Sequence, residues 1–128
     1  VHRNNPREDL KVVLNEGQKR IQQGCSVVRF PQATRSTVYD IKNFNTLGVK
    51  LARKACVPVV PIALKTDFHG SGRWLKDIGP IHSDRPIYFR FGSPIPVVGN
   101  GQAAHHSVVE FIDHNLRSWG VEVRNPFA

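Results

Sequence analysis

The chain has 128 residues, 40% hydrophobic and 22% charged, a composition that suits one compact domain or part of one and excludes a disordered chain. Eighteen Lys and Arg against ten Asp and Glu give a net charge of +8, which favours anionic partners: nucleic acid, an anionic bilayer surface or phosphorylated small molecules. No apolar stretch approaches the ~20 residues that span a bilayer, and there is no basic run, repeat, low-complexity segment or visible secretory leader. The chain opens on Val1 and holds no methionine, as a piece cut from a longer protein would.

Asn5-Pro6-Arg7-Glu8 is a helix start, with an Asn cap, proline at the first helical position and glutamate three residues after the cap. Leu10, Val13, Leu14, Gly17 and Ile21 recur at helical spacing opposite Lys11, Glu16, Gln18 and Lys19, and Gly24 is the expected stop. Residues 26–30 (SVVRF) read as a short strand ended by Phe30-Pro31, because proline offers no ladder donor. A loop over 31–45 follows, and Asn45 or Thr46 is placed to cap a second helix through Cys56 with Leu47, Leu51, Ala52 and Ala55 inward.

Residues 57–64 (VPVVPIAL) are apolar on both faces, as a central strand of a covered parallel sheet is, though two prolines make it irregular or edge-bonded. Residues 65–83 are mixed and glycine-rich. PIYFRF (86–91) alternates as a third strand ended by Gly92-Ser93-Pro94, and a final helix is expected over 103–119. Its inward residues would be Val108, Val109, Ile112, Leu116 and Trp119, with Gly120 as its stop. The order helix–strand–helix–strand–strand–helix predicts an α/β fold, a layered sheet with helices packed on it.

Cys25 and Cys56 adjoin apolar sequence and are expected as buried thiols of a reducing compartment; without CxxC spacing or paired histidines they imply no metal site. Asp67, His69 and Asp77 read as solvated loop polars, and Trp74 and Trp119 as core or interface anchors. His105-x4-Glu110 reads as a solvated helix face, and Arg90 can point to either face of its strand.

The chemistry-bearing stretch is FPQATRS (30–36), which leaves the end of a predicted strand, where ligand contacts of open α/β folds concentrate. Thr34, Arg35 and Ser36 can donate several hydrogen bonds to a phosphate or carboxylate, Arg35 bidentately. The same residues also suit a solvated turn in which Thr and Ser cap the local backbone, and spacing alone leaves both readings open.

FPQATRS resembles the FPEGTRS signature of the glycerolipid acyltransferases, a family that includes the 1-acylglycerol-3-phosphate acyltransferases. In order along the chain, Val1-His2-Arg3 resembles the end of that family's preceding motif, and KNFNTLG (42–48) its phenylalanine–glycine lead into a helix. VPVVPIAL resembles its VPIVPVAL strand, and Phe91-Gly92-Ser93-Pro94-Ile95 its late FGxPI element. The resemblance implies transfer of a fatty acyl group from acyl-CoA or acyl carrier protein to a lysophospholipid at the cytoplasmic face of a membrane. It implies no cofactor, no metal and no nucleic acid.

Carried over residue by residue, it makes Arg3 and Arg35 phosphate clamps, with Gln32, Thr34 and Ser36 as further acceptor contacts and Phe30, Pro31, Ala33, Pro58 and Pro61 as pocket wall. Gln32 and Ala33 depart from the family's Glu-Gly, replacing a charge by an NH2 donor and adding a methyl, which leaves the acceptor open. The family's base is the histidine of a His-x4-Asp motif. None of the six histidines here has an aspartate five positions on, so the chain is expected to be the C-terminal part of the catalytic domain, with its base upstream. Two alternatives stand beside this: a catalytically silent lipid-binding relative, and a basic nucleic-acid-binding domain, which lacks any helix-turn-helix, zinc or RNP-like signature.

Overall fold

A computed structural model describes residues 6–32, 38–66 and 79–124. Helix α1 (Pro6–Gln22) leads to strand β1 (Val38–Asp40), a 3-10 turn (Ile41–Asn43) and helix α2 (Leu47–Ala55). Strands β2 (Ile62–Lys65) and β3 (Tyr88–Phe91), helix α3 (Gln102–Ser118) and strand β4 (Glu122–Arg124) follow. The fold is α/β as predicted, and all three predicted helices form.

The helix ends follow from local chemistry. After α1, Gly24 at φ +83° lets its N–H reach Ile21 O and that of Cys25 reach Arg20 O, satisfying carbonyls the helix leaves open. Gly120 at φ +76° does the same for α3 through Arg117 O and Leu116 O. Helix α2 ends by the same double bond, from Cys56 to Arg53 O and from Val57 to Ala52 O, but there a cysteine occupies the left-handed position, at φ +55°. Cys56 is the one non-glycine residue with positive φ among the described residues.

The strands form two small sheets. β1 pairs parallel with β4, Tyr39 opposite Val123, and β2 pairs antiparallel with β3, Ile62 opposite Phe91 and Lys65 opposite Tyr88. Helix α3 packs on both β2 and β4. Its buried Val108, Ile112 and Leu116 form the core with Tyr39, and Phe44, Ile95, Trp119, Val121 and Val123 pack around them. Val109 is only half-buried, at the edge of that face.

Alternation along the β2–β3 ribbon decides which side meets α3. On that side Lys65 Nζ donates to Trp119 O at 2.9 Å, placing a cation at the helix C-terminus, and Tyr88 stacks on Trp119 with ring centroids 5.4 Å apart. On the other side Phe89 and Phe91 stack on each other at 6.4 Å and remain 58% and 65% exposed. Helix α1 packs on α2, with Leu14, Gly17 and Ile21 half-buried, while Leu10 and Val13 stay more than one-third exposed. Gln18, expected on the polar face, turns toward α2 and donates from Nε2 to Lys54 O at 3.2 Å.

Three expectations are corrected. Residues 26–30 form no strand: their side chains are exposed and no hydrogen bond ties their backbone to another described residue. Residues 57–64 are not a central parallel strand. Pro58 and Pro61 carry no N–H, so the ladder is reduced to an isolated antiparallel bridge, Val59 with Ile95, until β2 begins at Ile62. Cys25 and Cys56 are free and exposed, because each sits in the first residues past a helix end rather than inside a sheet.

Candidate functional site

Of the predicted site residues, Phe30, Pro31, Gln32, Pro58 and Pro61 fall within the described residues, whereas Arg3, Ala33, Thr34, Arg35 and Ser36 lie outside them, as do Asp67, His69, Trp74 and Asp77. The described ones form two groups at different places in the fold.

The first group is fixed by Asn45. Its backbone N–H donates to Pro31 O at 3.2 Å, and its side-chain Nδ2 also donates to Pro31 O. Its Oδ1 meanwhile accepts from Leu47 N at 3.2 Å, supplying the side-chain cap for α2 that Thr46 does not make. One asparagine therefore joins the residue that opens the predicted anion loop to the N-terminus of α2. That terminus carries the positive end of the helix dipole and no acidic residue in its first turn.

Gln32 makes a second contact within this first group. Its Nε2 donates to Val38 O at 3.4 Å, a long bond that uses the NH2 group a glutamate lacks. Beyond the loop, Asp40 folds the chain into the 3-10 turn, its carboxylate accepting from Lys42 N at 3.0 Å and from Asn43 Nδ2 at 2.9 Å. Phe30 is 66% exposed and forms no enclosed wall among the described residues.

The second group is built on backbone. Val59 and Ile95 exchange both hydrogen bonds, at 2.9 and 2.8 Å, and Gly92 N donates to Pro61 O at 2.8 Å. VPVVPIAL and FGSPI, widely separated in sequence, thus lie side by side. Gly92 permits this: a Cβ there would stand 2.7 Å from the Pro61 ring and 2.9 Å from the Phe111 ring. Pro58 lines an open cleft with Arg53, Cys56, Val57, Pro96 and Val97. Arg53 Nη1 donates to Gly99 O at 3.4 Å across it.

Two side chains bury a polar atom that has no hydrogen-bond partner among the described residues. Tyr39 is buried with its hydroxyl unpaired among the described residues, and burial, then the Asp113 carboxylate, push its pKa up. His105, expected on a solvated face, instead packs its ring edge-on to Phe44 at 5.4 Å and buries an unpaired Nδ1. Burial, then the neighbouring His106, lower its pKa. Glu110 lies instead beside His106, 3.4 Å away on the exposed side of α3. Helical spacing explains the split, since residues five apart point to different faces whereas residues four apart meet.

Over 104 residues, 81% of its length, the chain is 29% identical to a protein of Pseudomonas aeruginosa named 1-acyl-sn-glycerol-3-phosphate acyltransferase. The match spans 38% of that relative. No model of a known protein family matches the chain, and no solved structure matches it. Among the described residues no helix is long and apolar enough to cross a membrane.

Proposed function

We propose that the chain is the acceptor-binding portion of an acyltransferase that transfers a fatty acyl group from acyl-CoA or acyl carrier protein to a lysophospholipid of the 1-acylglycerol-3-phosphate type. The observation that carries this reading is the similarity over 81% of the chain to a protein bearing that name. One described contact supports it: Pro31, which precedes Thr34, Arg35 and Ser36 in sequence, is tied through Asn45 to the N-terminus of α2, an end suited to an anionic headgroup.

In this reading Arg3 and Arg35 clamp the acceptor phosphate, Thr34 and Ser36 donate to it, and Gln32 acts on the loop's shape. A histidine upstream of these residues takes the proton of the acceptor hydroxyl as that oxygen attacks the thioester carbonyl. Collapse of the tetrahedral intermediate breaks the carbon–sulfur bond, and the thiol leaves with the proton the histidine received. The reaction needs no cofactor or metal. The net charge of +8 favours peripheral association with an anionic bilayer, where the acceptor resides.

The test is thioester release by the full-length gene product with and without lysophosphatidic acid, alongside Arg35→Ala. Acceptor-dependent release, with KM for the acceptor raised at least tenfold in the variant, is expected. A protein that binds lysophosphatidic acid without releasing thiol, or an acceptor dependence unchanged in Arg35→Ala, overturns the assignment.

A further inference from the structure

Asn45 ties Pro31 to the start of α2, and the residue before it carries that tie into the core. The Phe44 ring stands between two elements. It meets Tyr39 of β1 edge-on with centroids 6.0 Å apart, and the His105 imidazole of α3 at 5.4 Å and 60°. Its backbone N–H closes the 3-10 turn on Ile41 O at 3.0 Å. His105 lies in the first turn of α3, and the glycine ahead of that helix brings the turn close to α2. A Cβ on Gly101 would stand 2.6 Å from Val49 Cγ1, so the approach needs a residue without one. Nδ1 of His105 is buried with no partner among the described residues. No hydrogen bond at that nitrogen orients the imidazole; the ring's contact with Phe44 does.

We infer that His105 is a positioning residue for the acceptor site: its ring seats Phe44, and Phe44 in turn fixes Asn45 where it joins Pro31 to the N-terminus of α2. The inference rests on the acyltransferase reading above for what binds at this junction, and on the described contacts for the junction itself. Phe44 and Asn45 share one rigid peptide plane, so a shift of the first carries the second. Asn45 places its N–H and its Nδ2 on one acceptor, Pro31 O, while its Oδ1 takes Leu47 N. Displacing Asn45 therefore weakens all of these bonds together. Pro31 is close in sequence to Thr34 and Arg35, the proposed phosphate contacts, and small displacements of binding groups are felt strongly. His105 reaches the acceptor only through Phe44 and Asn45 and takes no part in the proton transfer.

The test uses the full-length gene product and three variants. His105→Ala removes the ring at a helical position that alanine suits. His105→Leu restores an apolar contact for Phe44, and Leu116→Ala removes buried core volume near the other end of α3. In His105→Ala, amide exchange at Asn45 and Leu47 should quicken about tenfold, and KM for lysophosphatidic acid should rise about fivefold with kcat within about twofold of native. His105→Leu should return both readouts toward native values. Leu116→Ala should lower the melting temperature at least as far as His105→Ala and move neither. Unchanged exchange at Asn45 and Leu47 in His105→Ala overturns the inference, and so does faster exchange with an unchanged KM. A Leu116→Ala protein with the same rise in KM also overturns it, because the effect would then follow general stability. Should the native protein show no acceptor-dependent thiol release, the proposed function falls and exchange alone decides for His105. Faster exchange in His105→Ala then upholds its hold on the Pro31–α2 junction, and unchanged exchange removes it.

Discussion

Arg90 Nη1 donates to Asn115 Oδ1 at 3.0 Å, joining the middle of β3 to the last turns of α3. Asn115 is the buried polar residue of the described core, 2% exposed, and its Nδ2 is already committed to Phe111 O at 2.7 Å. Its side-chain oxygen therefore depends on Arg90. Arg90→Leu should cost about 1–3 kcal/mol, the penalty for leaving a buried acceptor unpaired. Asn115→Leu should cost a similar amount through the lost bonds and changed packing. In the double variant the unpaired acceptor is gone, so urea denaturation should show a loss smaller than the sum of the two. Strictly additive losses would mean that the bond contributes nothing.

Cys56 should be replaceable with gain. It holds a left-handed conformation that costs most residues about 1–2 kcal/mol, in a position that glycine fills at the ends of α1 and α3. Its thiol reaches only Arg53 O, at 3.9 Å, and is exposed. Cys56→Gly should therefore raise stability by about 0.5–1 kcal/mol, seen as a melting temperature a few degrees higher, whereas Cys56→Val should lower it. The larger unfolded-state freedom of glycine keeps the gain below the full strain.

Gly92 is constrained in the opposite sense. A methyl there meets two rings, those of Pro61 and Phe111, and neither ring has a flexible end that can yield easily. Gly92→Ala should cost about 1–3 kcal/mol by overpacking. Because Gly92 N also bonds Pro61 O, the variant should loosen the bridge between Val59 and Ile95, and faster amide exchange at those two residues would show it. Unchanged exchange would mean that the two segments are held together elsewhere.

How much of this was legible in the sequence depends on how local its cause is. The three helices are written in spacing, α1 and α3 also in their glycine stops, and β3 in the alternation of Tyr88 to Phe91. β1 and β4 escaped because Val-Tyr-Asp and Glu-Val-Arg carry too few apolar residues to show a period, and they pair across more than 80 residues. Asn45 was identified as a possible helix cap, but its bonds to Pro31 could not be read, since nothing local ties positions 14 residues apart. Residues 26–30 and the two cysteines were misplaced for one shared reason. Composition reports what a segment favours and is silent on whether a partner is present to bury it.

His105 should make stability fall with acid. Its pKa is lowered in the folded protein, so between that value and the ordinary ~6.5 the unfolded chain binds more protons. Stability contributed by the neutral ring is thus complete above about pH 6.5 and is lost as pH drops toward the folded pKa. His105→Leu keeps an apolar contact for Phe44 and removes the titration. The difference in melting temperature between native chain and variant should shift in favour of the variant from pH 7.5 to pH 5. Parallel curves would place the proton-sensitive group elsewhere.

Gln32 tests whether the departure from the acyltransferase signature is structural. The amide donates to Val38 O; a carboxylate cannot donate and would set a charge against that carbonyl. Gln32→Glu should therefore cost about 1 kcal/mol at pH 7, in line with one part-buried hydrogen bond. Below about pH 4 the protonated carboxyl regains a donor, so the difference between variant and native chain should shrink as the side chain titrates. The full-length protein gives a second readout, on the proposed function. If Gln32 acts through loop shape, Gln32→Glu should raise KM for the phosphorylated acceptor and leave kcat little changed. A variant that lowers KM would instead make residue 32 a direct acceptor contact, with the carboxylate taking a hydrogen bond from the glycerol hydroxyl.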